Sequence, residues 1–174
     1  MARKLQFSAS YLVAEDRLLL RGAFPDDTEI GLLLTRRMTR GLLDGLDKLA
    51  TKMVAAEVGV TPDQKQQVAS FTREAAVGQA DFSQDFAEGK PHPLMAEGPR
   101  LVTQASFTPK AGERIDVGFT LDKGERVKFT LPAKALWSLG HLLSQQAERA
   151  EWKLRVEARW QPAESAASAP GKLN

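Results

Sequence analysis

The sequence predicts an α+β fold: two tandem βββα units related by a pseudo-two-fold, forming an antiparallel sheet with the helices packed on it or on each other. Three observations predict it. Sliding the chain against itself by 97 positions lays residues 16–46, DRLLLRGAFPDDTEIGLLLTRRMTRGLLDGL, without a gap on residues 113–143, ERIDVGFTLDKGERVKFTLPAKALWSLGHLL, and self-similarity at a fixed offset marks a repeated structural unit. In both stretches apolar residues alternate on either side of a polar turn, the mark of a hairpin. The period then lengthens to that of a helix. The competing explanation is that two strand–strand–helix segments share a common hydrophobic pattern.

Each element follows in order. A first strand spans residues 5–11, with its counterpart at 101–107. The hairpins place Leu18, Leu20, Phe24, Ile30, Leu32 and Leu34 opposite Ile115, Val117, Leu121, Val127, Phe129 and Leu131 of the second copy. Their turns are PDDT and DKGE, and Gly124 in the second accepts positive φ. Thr35 is an N-cap for a helix whose seam is Met38, Leu42, Leu46, Leu49 and Met53. Pro132 sits where a first-turn proline is tolerated, before the seam Leu136, Leu139, Leu143 and Ala147. Between the copies, Thr61-Pro62-Asp63-Gln64 is a capping box opening a helix through Val68 and Phe71 to about Val77. Residues 78–99 then turn to Gly, Pro, Asp and Ala, with Phe82, Phe86 and Leu94 as isolated anchors. After the second copy, 152–160 alternates strictly, with Trp152, Leu154, Val156, Ala158 and Trp160 on one face, and predicts a strand. The domain is single over 1–161: unit one at 3–55, connecting helix and long loop at 56–99, unit two at 100–161. Residues 162–174, rich in Ala, Ser and Pro, are expected to be a disordered tail.

The chain's 174 residues carry 24 Lys and Arg against 22 Asp and Glu, with 43% hydrophobic residues and no cysteine. Disulfides, thiolate metal sites and cysteine nucleophiles are therefore excluded. His92 and His141 stand in no HxxxH or HxxE spacing, so no metal is expected. The nucleophile motifs GxSxG, SxxK and HExxH are missing, as are the GxGxxG and GxxxxGK[ST] phosphate loops. The reading is of a protein that is not an enzyme, with no cofactor and no small-molecule substrate. The opening MARKLQFSAS reaches polar residues too early for a signal peptide, and no apolar run approaches a membrane span. The expectation is a bacterial-type cytoplasmic protein that does not engage membranes.

Charge is uneven. Residues 100–174 carry 12 basic and 8 acidic side chains, whereas 61–99 carry 3 and 6. On the predicted sheet, Arg114, Arg126, Lys128, Lys153, Arg155 and Arg159 form a cationic face opposed by Asp116 and Glu157, suited to phosphates or simply to solvent. Phe119, Phe129, Trp152 and Trp160 fall on the apolar face. Three arginines, Arg36, Arg37 and Arg40, occupy the first turns of the first helix against its dipole, at roughly 0.3–1 kcal/mol each. They suit an anion or an acidic partner, or else pair locally with Asp26, Asp27 or Glu29. Phe82, Phe86 and Leu94 dock the long loop on its own core or on a partner. Gly41 and Gly45 permit close approach, either within the fold or at a homodimer seam.

The phrases DRLLLR, LLLTRRMTR and ADFSQDF, followed by PL and LV, resemble a pattern of uncharacterised bacterial proteins over roughly the first 105 residues, and that resemblance implies no activity. FTLPAKALWSLGHLL, residues 129–143, is similar to the end of the single-stranded-DNA-binding domains of the Whirly and positive-cofactor type. That resemblance implies a curved antiparallel sheet carrying a helix, copies associating through helices, and single-stranded nucleic acid as ligand. The leading expectation is a non-catalytic binding or adaptor module whose basic surfaces hold an acidic protein partner, in a hetero- or homo-oligomer. Single-stranded nucleic-acid binding is the alternative, and an enzyme of unknown type a distant third.

Overall fold

A computed structural model describes residues 5–55, 61–78 and 86–154. Strands β1 (Gln6–Leu12), β2 (Arg17–Ala23) and β3 (Thr28–Thr35) lead into α1 (Arg36–Ala55), and α2 (Pro62–Gly78) follows. A two-residue β4 (Lys90–Pro91) and a 3-10 turn (Pro93–Met95) precede β5 (Arg100–Lys110), β6 (Arg114–Leu121), β7 (Arg126–Pro132) and α3 (Ala133–Arg149). The fold is α+β, with an open, mostly antiparallel sheet of seven strands in the order β1-β2-β3-β5-β6-β7 and β4 beside β3. The two half-sheets join in parallel, Leu32 opposite Arg100 and Leu33 opposite Leu101. A parallel joint needs a long crossover, and residues 36–99 supply it.

Local chemistry sets the boundaries. Thr35 Oγ1 accepts the Met38 N–H at 3.1 Å and caps α1. At α2 the capping box forms: the Thr61 N–H donates to Gln64 Oε1 at 3.0 Å and the Gln64 N–H to Thr61 Oγ1 at 3.5 Å. Strand alternation sends Leu18, Leu20, Leu32 and Leu34 inward together with Ile115, Val117, Phe119 and Leu131, all at 1% exposure or less. The seams of α1 (Leu42, Leu46, Leu49) and α3 (Leu136, Leu139, Leu143, Ala147) close over that face. Each fully buried Leu contributes roughly 1.5–3 kcal/mol, so the helices are held by their apolar stripes. α1 reaches across to β5, α3 reaches across to β1, and α2 packs on both helices.

The strand expected at 152–160 is corrected where it is described. Residues 152–154 are not strand. Glu151 and Lys153 take left-handed conformations, φ 56° and 49°, folding the chain back beneath α3. That turn buries Trp152 and Leu154 at 3% and 6% exposure, so their spacing of two comes from a turn and not from a pleat. Residues 155–160, with Arg155 and Arg159, and the tail 162–174 lie outside the described residues, as does Phe82. Among the described residues no helix is long and apolar enough to cross a membrane.

Candidate binding faces

The inner face of the sheet is spent on the helices, which leaves the outer face as the candidate. On the first half-sheet, period-two alternation points Gln6, Arg21, Glu29 and Gly31 outward, and the connecting segment roofs them. Arg21 Nε donates to Glu29 Oε1 at 2.7 Å and its Nη2 reaches Glu88 at 3.2 Å. The Phe86 ring lies under the same guanidinium, 4.6 Å from its carbon. The Ala87 N–H donates to Gln6 Oε1 at 3.1 Å and the Gly89 N–H to Glu29 Oε2 at 3.0 Å. Pro99 comes so near Gly31 that a Cβ there would meet it at 3.2 Å. Of the loop anchors, Phe86 and Leu94 therefore dock within the chain, Leu94 against the core. His92 Nδ1 accepts the Leu94 N–H at 3.2 Å, capping the 3-10 turn.

Among the described residues nothing covers the outer face of the second half-sheet. Gln104, Ser106 and Thr108 of β5, Gly118 and Thr120 of β6, and Arg126 and Lys128 of β7 surround a shallow pocket of about 140 Å³. Asp116 organises it: Oδ1 accepts the Thr130 hydroxyl at 2.7 Å, while Oδ2 meets Lys128 Nζ at 3.0 Å and Lys110 Nζ at 3.4 Å. The Thr130 hydrogen bond, then that of Lys128, hold its carboxyl well below the ordinary 3.8, at about 2. Asp116 thus stays ionised and fixes two lysines, while Arg114 and Arg126 stand exposed. Among the described residues the aromatic rings of these strands lie on the other side. Phe119 is 1% exposed, and Phe129 packs on Phe24 and Phe119 at centroid distances of 5.3 and 5.8 Å.

Arg36, Arg37 and Arg40 are all exposed on α1. They do not pair with Asp26, Asp27 or Glu29, because those acids lie in the turn before β3 and at its start, whereas the arginines follow its end; Glu29 instead holds Arg21. Arg40 Nε lies 4.0 Å from Asp44, one turn on. Arg36 acts electrostatically on Asp16, whose carboxyl is lowered first by the Trp152 indole N–H at 2.7 Å and then by the Tyr11 hydroxyl at 2.8 Å. Register puts Thr35 beside Arg17 and Pro132 beside Arg114, so the arginines and Arg114 mark corresponding ends of the two hairpins. Lys153 is exposed in the turn after α3, off the sheet face.

Sequence reasoning missed Lys110 as a partner of Asp116, and it missed Arg100. That side chain is 10% exposed, bonds Asp122 and Glu125 at 2.7 and 3.0 Å, and pins the second hairpin to the Leu94 carbonyl. The signal for Lys110 was present, since an extension of β5 by three residues brings it to the start of β6. Among the described residues no group of three or more His, Asp or Glu is gathered as a metal would need. The chain matches no protein-family model, no curated protein and no solved structure.

Proposed function

We propose that the protein is a non-catalytic binding module that holds an acidic partner protein in an assembly, on the outer face of β5–β7 and on Arg36, Arg37 and Arg40. One contrast carries the reading. The outer face of the first half-sheet is neutralised and roofed by the chain itself, whereas among the described residues nothing covers that of the second, which keeps Arg114 and Arg126 exposed. Carboxylates and phosphates both suit guanidinium forks. Protein is favoured over single-stranded nucleic acid because the rings that would stack bases face the core. The same reading has the module working in the cytoplasm without a cofactor. A nuclease-treated pull-down followed by a salt titration tests it: a retained acidic protein supports the reading, and a partner lost with nuclease refutes it.

The proposal includes the tandem βββα duplication. Its support is positional. The hairpins pair Arg17 with Thr35 and Arg114 with Pro132, so the 97-residue offset carries one register onto the other. The left-handed residues Asp16 and Asp27 fall on Glu113 and Gly124, and Arg36 falls on Ala133 at the helix starts. β5 holds the β1 register at Val102, opposite Leu121, and loses it by one residue at the irregularity that follows. The reciprocal crossing of α1 to β5 and α3 to β1 is what a two-fold along the strands requires.

A further inference from the structure

The first half-sheet contains an example of an extended segment received at a strand edge. The Lys90 N–H donates to the Asp27 carbonyl at 2.7 Å and the His92 N–H to the Glu29 carbonyl at 2.8 Å, with β4 parallel to β3. The 97-residue offset puts Gly124 and Arg126 in the places of Asp27 and Glu29. There the matching edge is bare: among the described residues β7 pairs with β6 alone. The Leu121 N–H bonds to the Glu125 carbonyl at 2.8 Å. Antiparallel alternation therefore gives odd-numbered residues of β7 to β6 and turns the backbone groups of Arg126, Lys128 and Thr130 to the open edge. All three residues are exposed.

The side chains at the two edges differ in sign. Arg21 and Glu29, which neutralise each other at 2.7 Å, have Gly118 and Arg126 as counterparts. Gly118 puts no side chain on the floor of the pocket, where a Cβ would lie 2.8 Å from Ser106 Oγ, and Arg126 and Lys128 border it. On β3, Glu29 takes an amide N–H from the arriving segment. On β7, the same position offers a cation.

We infer that an extended acidic segment of the partner protein adds as a parallel strand to the edge of β7. Its amide N–H groups meet the carbonyls of Gly124 and Arg126, and its carboxylates meet Arg126 and Lys128 above Gly118. The inference rests on the proposed function and gives its acidic partner a mode of binding: main-chain bonds supply affinity and the carboxylates supply specificity. The competing explanation is that Arg126 and Lys128 guard an edge against self-association.

The test uses the full chain and a synthetic octapeptide alternating Glu and Thr. Its binding should protect the Lys128 and Thr130 amides from hydrogen exchange. N-methylating alternate peptide residues should abolish binding in one register and spare it in the other. Arg126→Gln, which removes an exposed side chain without an ion pair among the described residues, should weaken binding by roughly tenfold, the scale of one charge-assisted hydrogen bond. Salt-sensitive binding at this face that tolerates both N-methyl patterns would overturn strand addition and leave the acidic-partner reading standing. If the peptide does not bind wild type and Arg126→Gln self-associates, the edge guard is correct instead. If the nuclease-treated pull-down also retains no acidic protein, the proposed function falls with it.

Discussion

Two glycines one helical turn apart on α1 should respond in opposite ways to alanine. Gly41 has nothing within 4 Å of where a Cβ would stand, whereas at Gly45 a Cβ would lie 3.2 Å from Phe107 Cε2 and 3.5 Å from Cδ2. Glycine in a helix interior costs about 1 kcal/mol relative to alanine. Gly41→Ala should therefore stabilise by about that amount, raising the thermal midpoint by about 2–4 °C for a domain of this size. At Gly45 the same gain is opposed by a contact tighter than most real Cβ contacts. Phe107 belongs to β5, and moving its partly buried ring disturbs the seat of α1 on the second half-sheet. Gly45→Ala should gain nothing, and Gly45→Leu should lose on the order of 1–3 kcal/mol through overpacking. Urea unfolding followed by circular dichroism measures all three. If Gly45→Ala stabilises as much as Gly41→Ala, α1 does not lie against Phe107 and its crossing to β5 is wrong. Concentration-dependent unfolding of wild type that is lost in either variant would return these glycines to a homodimer seam.

Further predictions concern single groups. The Thr39 hydroxyl is fully buried with no hydrogen-bond partner among the described residues, so Thr39→Val should raise stability by about 1 kcal/mol; a loss of that size in urea unfolding would mean that the hydroxyl is satisfied. The Asp116 carboxyl is lowered from 3.8 to about 2 in the fold, so its stabilising contribution is complete above pH 4 and disappears as pH falls through 2. Wild type should then lose stability more steeply than Asp116→Asn between pH 4 and 2, and parallel acid titrations of the two would remove Asp116 from its network. Replacing Arg36, Arg37 and Arg40 together with Gln should leave the thermal midpoint unchanged or slightly higher, because like charge leaves a helix N-terminus, while weakening capture of the acidic partner; a clear drop in midpoint would assign them a structural role.

Much of the fold was legible because it is local. The alternations around Asp26 and Gly124, the cap at Thr35 and the seams of α1 and α3 each follow from neighbours in sequence, and the structure forms them at those places. The β3–β5 joint was not legible, since a parallel pair across a long crossover leaves no periodic trace. The roof over the first half-sheet was hidden for a different reason. Residues 86–99 hold it through backbone N–H groups on Gln6 and Glu29, and through a guanidinium over Phe86, none of which repeats with a period. The cationic face was visible as Arg114, Arg126 and Lys128, but its organising pairs were not, because Lys110 and Thr130 reach Asp116 only once three strands are in register. Lys153 was assigned to that face by an alternation that the turn after α3 imitates.

The central claim is that the open face of β5–β7 holds carboxylates of a protein and not phosphates of a nucleic acid. Its most direct measurement compares a polyglutamate peptide with an oligothymidylate of equal charge, titrated by fluorescence anisotropy against wild type and the Arg114→Gln, Arg126→Gln double variant at two salt concentrations. Tighter binding of the peptide by wild type, weakened by roughly tenfold or more in the double variant, is the expected result. Tighter binding of the oligothymidylate, or undiminished peptide binding by the double variant, would contradict it.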